Sequence, residues 1–477
     1  MKNSLLTVII LLFGIMELQS QNSFEFVVSN PFTEWAFSSV EKNNGAFLTI
    51  GHRNSFEGQQ SKAILIDYST SQDTSIQYFQ MEDTFNKLMF MIEKANGNNF
   101  FIGNYGIGDT VGGLYLWETT MDYETVLENH FQVPNPYVFL EVRNYIIDSD
   151  NNVIIVGRAY YPLDKTLYHH LYMAKVDMQG QLLAMNIPAP PYKSAGSFSM
   201  FEKQDNSGYL LIGGFSYTNQ DAKEWIELDT ELNITDDGLI DWENGGLDYS
   251  AIQLDNGNFI MESTHFDELS IGLFDEGFNL IKDTLFAGGG DFSPFQVKSI
   301  GYVSNDNIWI GAFNSDPYWQ TGTEHYYLYL YDSNLNLKGM KAYGGDTRYF
   351  MMHLNTTNDG GCILTGIVPD YPGTLYTDIY INKVAPEDVV THTEEIPCPY
   401  DMDVRIFPNP VVDLLNVVTT RRGLVFRLYS PEGALLQSIA LSENRTMVNL
   451  GTLRAGFCFY TISENGYTIQ SGKLIKK

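Results

Sequence analysis

A repeat of roughly fifty residues limits how this chain can fold more than any other feature. Each unit opens on a turn rich in Asn, Asp or Gly. It runs into three or four apolar residues, usually closed by a Gly. A variable hairpin follows, and then an alternating apolar run that ends near an Asp. The first halves are NNGAFLTIG (43–51), NGNNFFIG (96–103), SDNNVIIVG (149–157), DNSGYLLIGG (205–214), DNGNFIMES (255–263), NDNIWIG (305–311) and NDGGCILTG (358–366). The second halves are AILIDYS (63–69), LYLWETT (114–120), LYMAKVDMQG (171–180), EWIELDTELN (224–233), SIGLFDEGFN (270–279), YLYLYDSNLN (327–336) and IYINKVAPED (379–388). Taking Gly51, Gly103, Gly157, Gly213, Ser263, Gly311 and Gly366 as anchors, the steps are 52, 54, 56, 50, 48 and 55 residues.

Short apolar runs with Asn/Asp/Gly turns are strands joined by tight hairpins. A period near fifty with several strands per unit is that of a β-propeller blade. Seven units favour a closed ring, because closure removes the edge strands that an open stack exposes. The stretch FEFVV (24–28) precedes the first unit and is expected to complete the last blade beside residues 379–384. The expected fold is therefore all-β: a seven-bladed propeller over 21–387, a linker over 388–404 and a small antiparallel β-sandwich of Ig-like type over 405–477. Eight blades or two separate β domains are the alternative architectures. The Asp residues at 67, 177, 229, 275 and 332 follow apolar strands, where turns begin.

Charge divides the chain in the same place. Residues 401–477 hold nine basic and six acidic side chains, a net +3, which leaves −33 on the first 400 residues of a chain whose net charge is −30. A body this acidic repels nucleic acid and anionic membranes. Met1–Ser20 reads as a secretory signal, with Lys2 ahead of the apolar run Leu5–Ile15. No later run approaches the ~18 apolar residues of a membrane span, so the exported chain is expected to have no transmembrane segment. Three cysteines, Cys362, Cys398 and Cys458, form neither a disulfide framework nor a zinc pattern; a Cys362–Cys398 bridge is compatible with an oxidising compartment.

Catalytic signatures are weak. Asp148, Asp150 and Asn152 are spaced as in a calcium loop, but Val153 and Ala159 stand where the loop needs Gly and Glu, so a hairpin turn is expected. His169 and His170 are adjacent in a strand and point to opposite faces, which suits no single metal. No metal site, cofactor or catalytic residue is assigned. Three longer hairpins, 158–170, 312–326 and 367–378, combine aromatic with polar residues and suit carbohydrate or protein contacts. Tyr160, Tyr161, Tyr318 and Trp319 are the candidate binding residues. An extracellular carbohydrate-active hydrolase or lyase using loop carboxylates is the alternative.

The tail alternates as six short strands: 413–419, 424–430, 434–441, 447–451, 456–463 and 467–476. It carries FPNP (407–410), DLLNV (413–417), LYSPEGALL (428–436), VNLGTLRAGFCFY (448–460) and GKLIKK (472–477) in that order. On these residues it resembles the type A C-terminal sorting domain of Bacteroidetes type IX secretion cargo, while the body is similar to exported bacterial propeller repeats. The sorting residues carried over are Phe407, Pro408, Asn409, Pro410, Gly433, Gly456, Gly472, Lys473, Lys476 and Lys477. Phe457–Cys458 departs from the family, which more often has a β-branched residue or Tyr there. The resemblance implies passage through the periplasm and recognition by the type IX translocon. It also implies cleavage in the linker, with the cargo released or held at the outer-membrane surface.

Overall fold

The computed structural model describes residues 23–389 and 404–477, apart from segments 30–32, 55–61, 71–72, 80–84, 108–110, 164–165, 189–192, 217–221, 244–248, 266–267, 287–290, 296, 316–324, 345–347, 370–376, 408–410, 420–422, 431–433, 442–443, 452, 455 and 465–466. The chain divides into two compact units, Met1–Leu285 with Asp291–Val390, and Thr391–Lys477, to which Phe286–Gly290 is assigned.

The first unit is a ring of seven four-stranded antiparallel blades, spanning residues 33–79, 85–132, 139–186, 193–238, 249–286, 291–344 and 350–384. Blades three and four are joined by one pair, His170 with Lys193. The inner strand of blade six comes in two pieces, Asp291–Pro294 and Ile300–Ser304. Phe24–Val28 pairs with Ile379–Lys383 and supplies the fourth strand of the last blade, as the sequence led us to expect. The apolar runs of the repeat are the second and third strands of each blade. They are the most buried because neighbouring blades cover both of their faces.

The repeat's glycine has a steric cause. In five blades the inner strand bulges opposite it, at Ala36/Ser38, Leu88/Phe90, Val142/Asn144, Ala195/Phe198 and Met351/His353. The bulge pushes a carbonyl towards the second strand. A Cβ on Gly51 would stand 2.1 Å from the Trp35 oxygen, and one on Gly103 2.0 Å from that of Lys87. In blade five Ser263 replaces the glycine, and the register from Tyr249 to Gln253 runs without a shift. The bulge and the glycine are thus kept or lost together.

The two ends of the ring differ. At one end lie the turns between first and second strands and between third and fourth strands. The latter repeat one lock: the Asp carboxylate accepts the amide N–H groups two and four residues on. Asp177, Asp229, Asp275 and Asp332 all do so at 2.7–2.9 Å. Leu232, Phe278 and Leu335 take the left-handed conformation these turns require. Glutamates bind neighbouring blades here: the N–H groups of Asn43, Ser149 and Asn358 donate to Glu93, Glu202 and Glu41. The Asp148–Asn152 segment is likewise a turn, with Asp148 accepting from the Asn152 N–H and the Tyr209 hydroxyl. The opposite end carries the hairpins between second and third strands.

The second unit is a sandwich of a three-stranded sheet (Val404–Phe407, Leu414–Thr419, Asn444–Asn449) and a four-stranded sheet. It therefore has seven strands rather than six. The extra strand is only four residues long and abuts Pro408, too short for alternation to reveal it. In Gly456–Glu464, Cys458, Tyr460 and Ile462 face the core while Phe457 and Phe459 face outward. Cys362 is buried in the last blade, where burial pushes its thiol up; Cys398 lies outside the described residues.

Candidate functional site

The hairpin of blade three extends its two strands to twelve residues each, Asn152–Leu163 and Thr166–Asp177. Antiparallel register places Tyr160 opposite both Phe139 and His169. The Tyr160 ring lies 4.5 Å from His169 and 5.3 Å from Phe139. Its hydroxyl donates to Glu141 Oε2 at 2.7 Å, and Arg143 Nη2 donates to the same oxygen at 2.9 Å. On the other face, Tyr161 stacks over His170 at 6.1 Å and meets Tyr137 at 6.0 Å. The Tyr137 hydroxyl is 2.9 Å from His170 Nδ1. The adjacent histidines do point to opposite faces, as strand geometry demands.

Tyr137, Tyr160, Tyr161 and His169 remain half-buried, so ring surface reaches solvent, while the Tyr160 and Tyr137 hydroxyls are tied down. Burial opposes ionisation of Glu141, yet Arg143, the Tyr160 hydroxyl, Arg158 and Lys87 together hold it below the ordinary carboxylate range. Burial and the nearby Arg158 charge lower His169, keeping it neutral at physiological pH. Tyr318 and Trp319 lie outside the described residues.

A second feature occupies the ring's axis. The bulged side chains Phe37, Met89 and Met352, with Val297, belong to one apolar cluster. Three of them project from inner strands, which line the channel of a propeller, so these side chains form an apolar layer there. Beyond it, on the turn side, is a cavity of about 330 Å³. Its wall includes Ser38, Asn144 and His353, each just past a bulge, together with Lys298, Asn355 and the bulged Arg143. Hydrogen bonds between blades fix several of them. Ser38 Oγ donates to the Met89 carbonyl (2.6 Å), Asn144 Nδ2 to that of Phe198 (2.9 Å) and Asn355 Nδ2 to that of Ser39 (3.3 Å).

The cavity's charge is distinctive in so acidic a body. No carboxylate is among its described lining residues. Burial lowers Lys298, and burial together with the Lys298 charge pulls His353 well below its usual value. His353 Nδ1 and Arg143 Nε are buried with no hydrogen-bond partner. Sequence reading missed this group because its members, at 143, 298 and 353, are not neighbours in the chain.

One further buried group stands alone. Glu262 is fully buried in blade five, and neither oxygen makes a well-formed hydrogen bond. Burial pushes its carboxyl up to about 8, the Ser299 hydroxyl acting only partly against this. Among the described residues, no group of three or more His, Cys, Asp or Glu could hold a metal ion.

In the second unit the two ends of the sorting pattern are held together. The Val411 N–H donates to the Ile475 carbonyl, and the Lys477 N–H to that of Val411, both at 2.8 Å. Lys476 is buried with its Nζ 3.8 Å from Asp413, whereas Lys473 is exposed, 4.6 Å over the Phe457 ring. Phe407 ends the strand Val404–Phe407, Gly456 opens Gly456–Glu464, and Gly472 pairs with Tyr460. Pro408, Asn409, Pro410 and Gly433 lie outside the described residues. Phe457, Phe459 and Ile475 present exposed apolar surface on the outer face of the four-stranded sheet.

No curated protein matches the chain by sequence. Among solved structures it is similar to a puromycin hydrolase (10% identity, 91% of this chain and 61% of that one, TM-score 0.46). It is also similar to a protein of unknown function from Dyadobacter fermentans (8% identity, 76% and 98%, TM-score 0.43). A third is the GH93 α-L-arabinofuranosidase of Fusarium graminearum (10% identity, 78% and 100%, TM-score 0.39). At such identities these likenesses say nothing about activity. Residues 405–477 match the family described as the secretion system C-terminal sorting domain. The tail thus carries the sorting signature of type IX secretion cargo, and the propeller ahead of it is what that signature exports.

Proposed function

We propose that this cargo is a binding module that engages a glycan at the hairpin end of blade three. The observation that carries this reading is half-exposed ring surface on both faces of one extended hairpin, Tyr160 with His169 on one and Tyr161 with Tyr137 on the other, with the Tyr160 and Tyr137 hydroxyls already tied. Sugars stack on such ring faces, and pre-fixed rings lose little entropy on binding. Glycan cleavage is the less favoured reading. It calls for a carboxyl that can donate a proton and a second carboxylate roughly 5–10 Å away, whereas Glu141 is held ionised by Arg143 and Tyr160. The test is a glycan-array screen of the exported protein, followed by Tyr160→Ala and Tyr161→Ala. Binding without turnover that falls at least tenfold in these variants supports the proposal. Turnover lost on Glu141→Gln, or a protein ligand with no glycan bound, overturns it.

For the route, we propose that the translocon reads the outer face formed by Phe457, Phe459, Ile475 and Lys473. Cleavage in the segment before 405 then leaves the propeller released or held at the outer-membrane surface. Phe459→Asp is expected to leave protein in the periplasm with the sandwich still folded, as read by fractionation and protease resistance. Normal export of that variant would refute this assignment.

A further inference from the structure

The axial cavity stands apart from the hairpin cluster, across the apolar layer of Phe37, Met89, Val297 and Met352. It gathers cationic and donor groups that the protein itself leaves unsatisfied. Lys298, half-buried, has no carboxylate partner among the described residues, and a charge taken partly out of water without compensation is costly. His353 is 4% exposed, and its Nδ1 lacks a partner. Arg143 is half-neutralised through Glu141, leaving its Nε without one. Around these stand Ser38, Asn144 and Asn355, whose hydroxyl and amide groups are the usual partners of sugar hydroxyls. A fold does not retain unpaired donors around a cavity for stability, since each costs about 1–3 kcal/mol when left unmade.

The size and charge of the cavity restrict the ligand. About 330 Å³ is at the lower end of small-molecule pockets, roughly 300–1,000 Å³, and suits a single sugar ring rather than a chain. One unpaired ammonium matches a monoanion better than a phosphate dianion. We propose that the central channel is a binding site for one uronic acid residue, its carboxylate on Lys298 and His353 and its hydroxyls towards Asn144, Asn355 and Ser38. The ligand would supply the opposite charge that the blades omit.

The test is titration calorimetry of the exported protein with glucuronate and galacturonate, against glucose, galactose and inorganic phosphate. At least one uronate is expected to bind, tenfold or more tighter than its neutral counterpart and than phosphate. Lys298→Met should abolish this preference, and Lys298→Arg should retain part of it. The Lys298→Met variant is expected to melt no lower than the parent, because it removes a half-buried charge that has no carboxylate partner among the described residues. Tyr161→Ala should leave uronate binding unchanged, which separates this site from the hairpin rings. Absence of binding by either uronate, equal binding of acid and neutral sugars, preference for phosphate, or an unaffected Lys298→Met variant would each overturn the proposal. Oligogalacturonide binding no tighter than the monomer is expected, given a one-ring cavity; a large gain with chain length would also count against it.

Discussion

The two ends of the propeller are made by different rules. The turn end repeats one Asp lock in four blades and one glutamate contact in three, and the lock's contacts are local. An Asp carboxylate locks the amides two and four residues on, and a glutamate reaches the next blade. At the hairpin end no such lock occurs among the described residues, and the strands run to different lengths, twelve residues in blade three. Local locks fix the scaffold; loops without locks are free to acquire contacts. Perturbing each end should therefore affect a different property.

The largest effect should come from the bulge that sets the channel. Gly103→Val places a side chain 2.0 Å from the Lys87 carbonyl and should cost about 3 kcal/mol or more, or prevent folding, as read by chemical denaturation. The matching change at the unbulged blade, Ser263→Gly, should cost under about 1 kcal/mol. Equal effects would break the link between glycine and bulge.

Next comes Glu262. Its carboxyl is raised to about 8 in the folded protein, so its contribution is fully favourable below the unfolded value near 4.5. That contribution is lost as pH rises from there through 8. Glu262→Gln should therefore stabilise the protein at pH 8 by a few kcal/mol, on the order of 2–4, and by nothing at pH 4. Denaturant midpoints across that range would read the difference.

Smaller still is the turn lock. Asp177→Ala removes two hydrogen bonds and should cost about 1 kcal/mol without altering ligand binding. Tyr161→Ala at the other end should do the reverse, changing stability by under about 0.5 kcal/mol while weakening the proposed glycan contact. The smallest effect is on acid stability. Asn279 holds the Asp275 carboxyl below its ordinary value, so its contribution is present above the unfolded value and is lost as pH falls through the folded one. Asp275→Asn should flatten the acid limb of the stability curve slightly, as seen in melts below about pH 4.

The same contrast governs what could be read from the sequence. The second and third strands were legible because burial on both faces makes them unbroken apolar runs, as in Val153–Val156. The Asp turns were legible because their chemistry lies within five residues. The inner strands were not. Their bulges break the alternation, and one strand mixes core residues such as Val142 with cavity residues such as Asn144. Tyr160 and Tyr161 stood out as neighbours in a long hairpin. Tyr137, twenty-odd residues earlier, joins them only through the register of a blade. Lys298 and His353 come from adjacent blades, and no local pattern could have paired them. In the tail, alternation revealed six strands, and the four-residue Val404–Phe407 escaped because it is shorter than one full period of evidence.

The closing strand of the ring has a consequence for how such a protein can travel. Tyr380 donates to Glu25, 355 residues away, and the whole of Phe24–Val28 is paired with the last blade. A chain that folded as it emerged from the ribosome or from a pore, N-terminus first, would hold six blades beside an unsatisfied strand until residue 384 appeared. Contacts of such long range form slowly and late. Completion of the ring is therefore timed to the arrival of the segment directly ahead of the sorting tail. The molecule becomes a finished object only when its own address label comes into view.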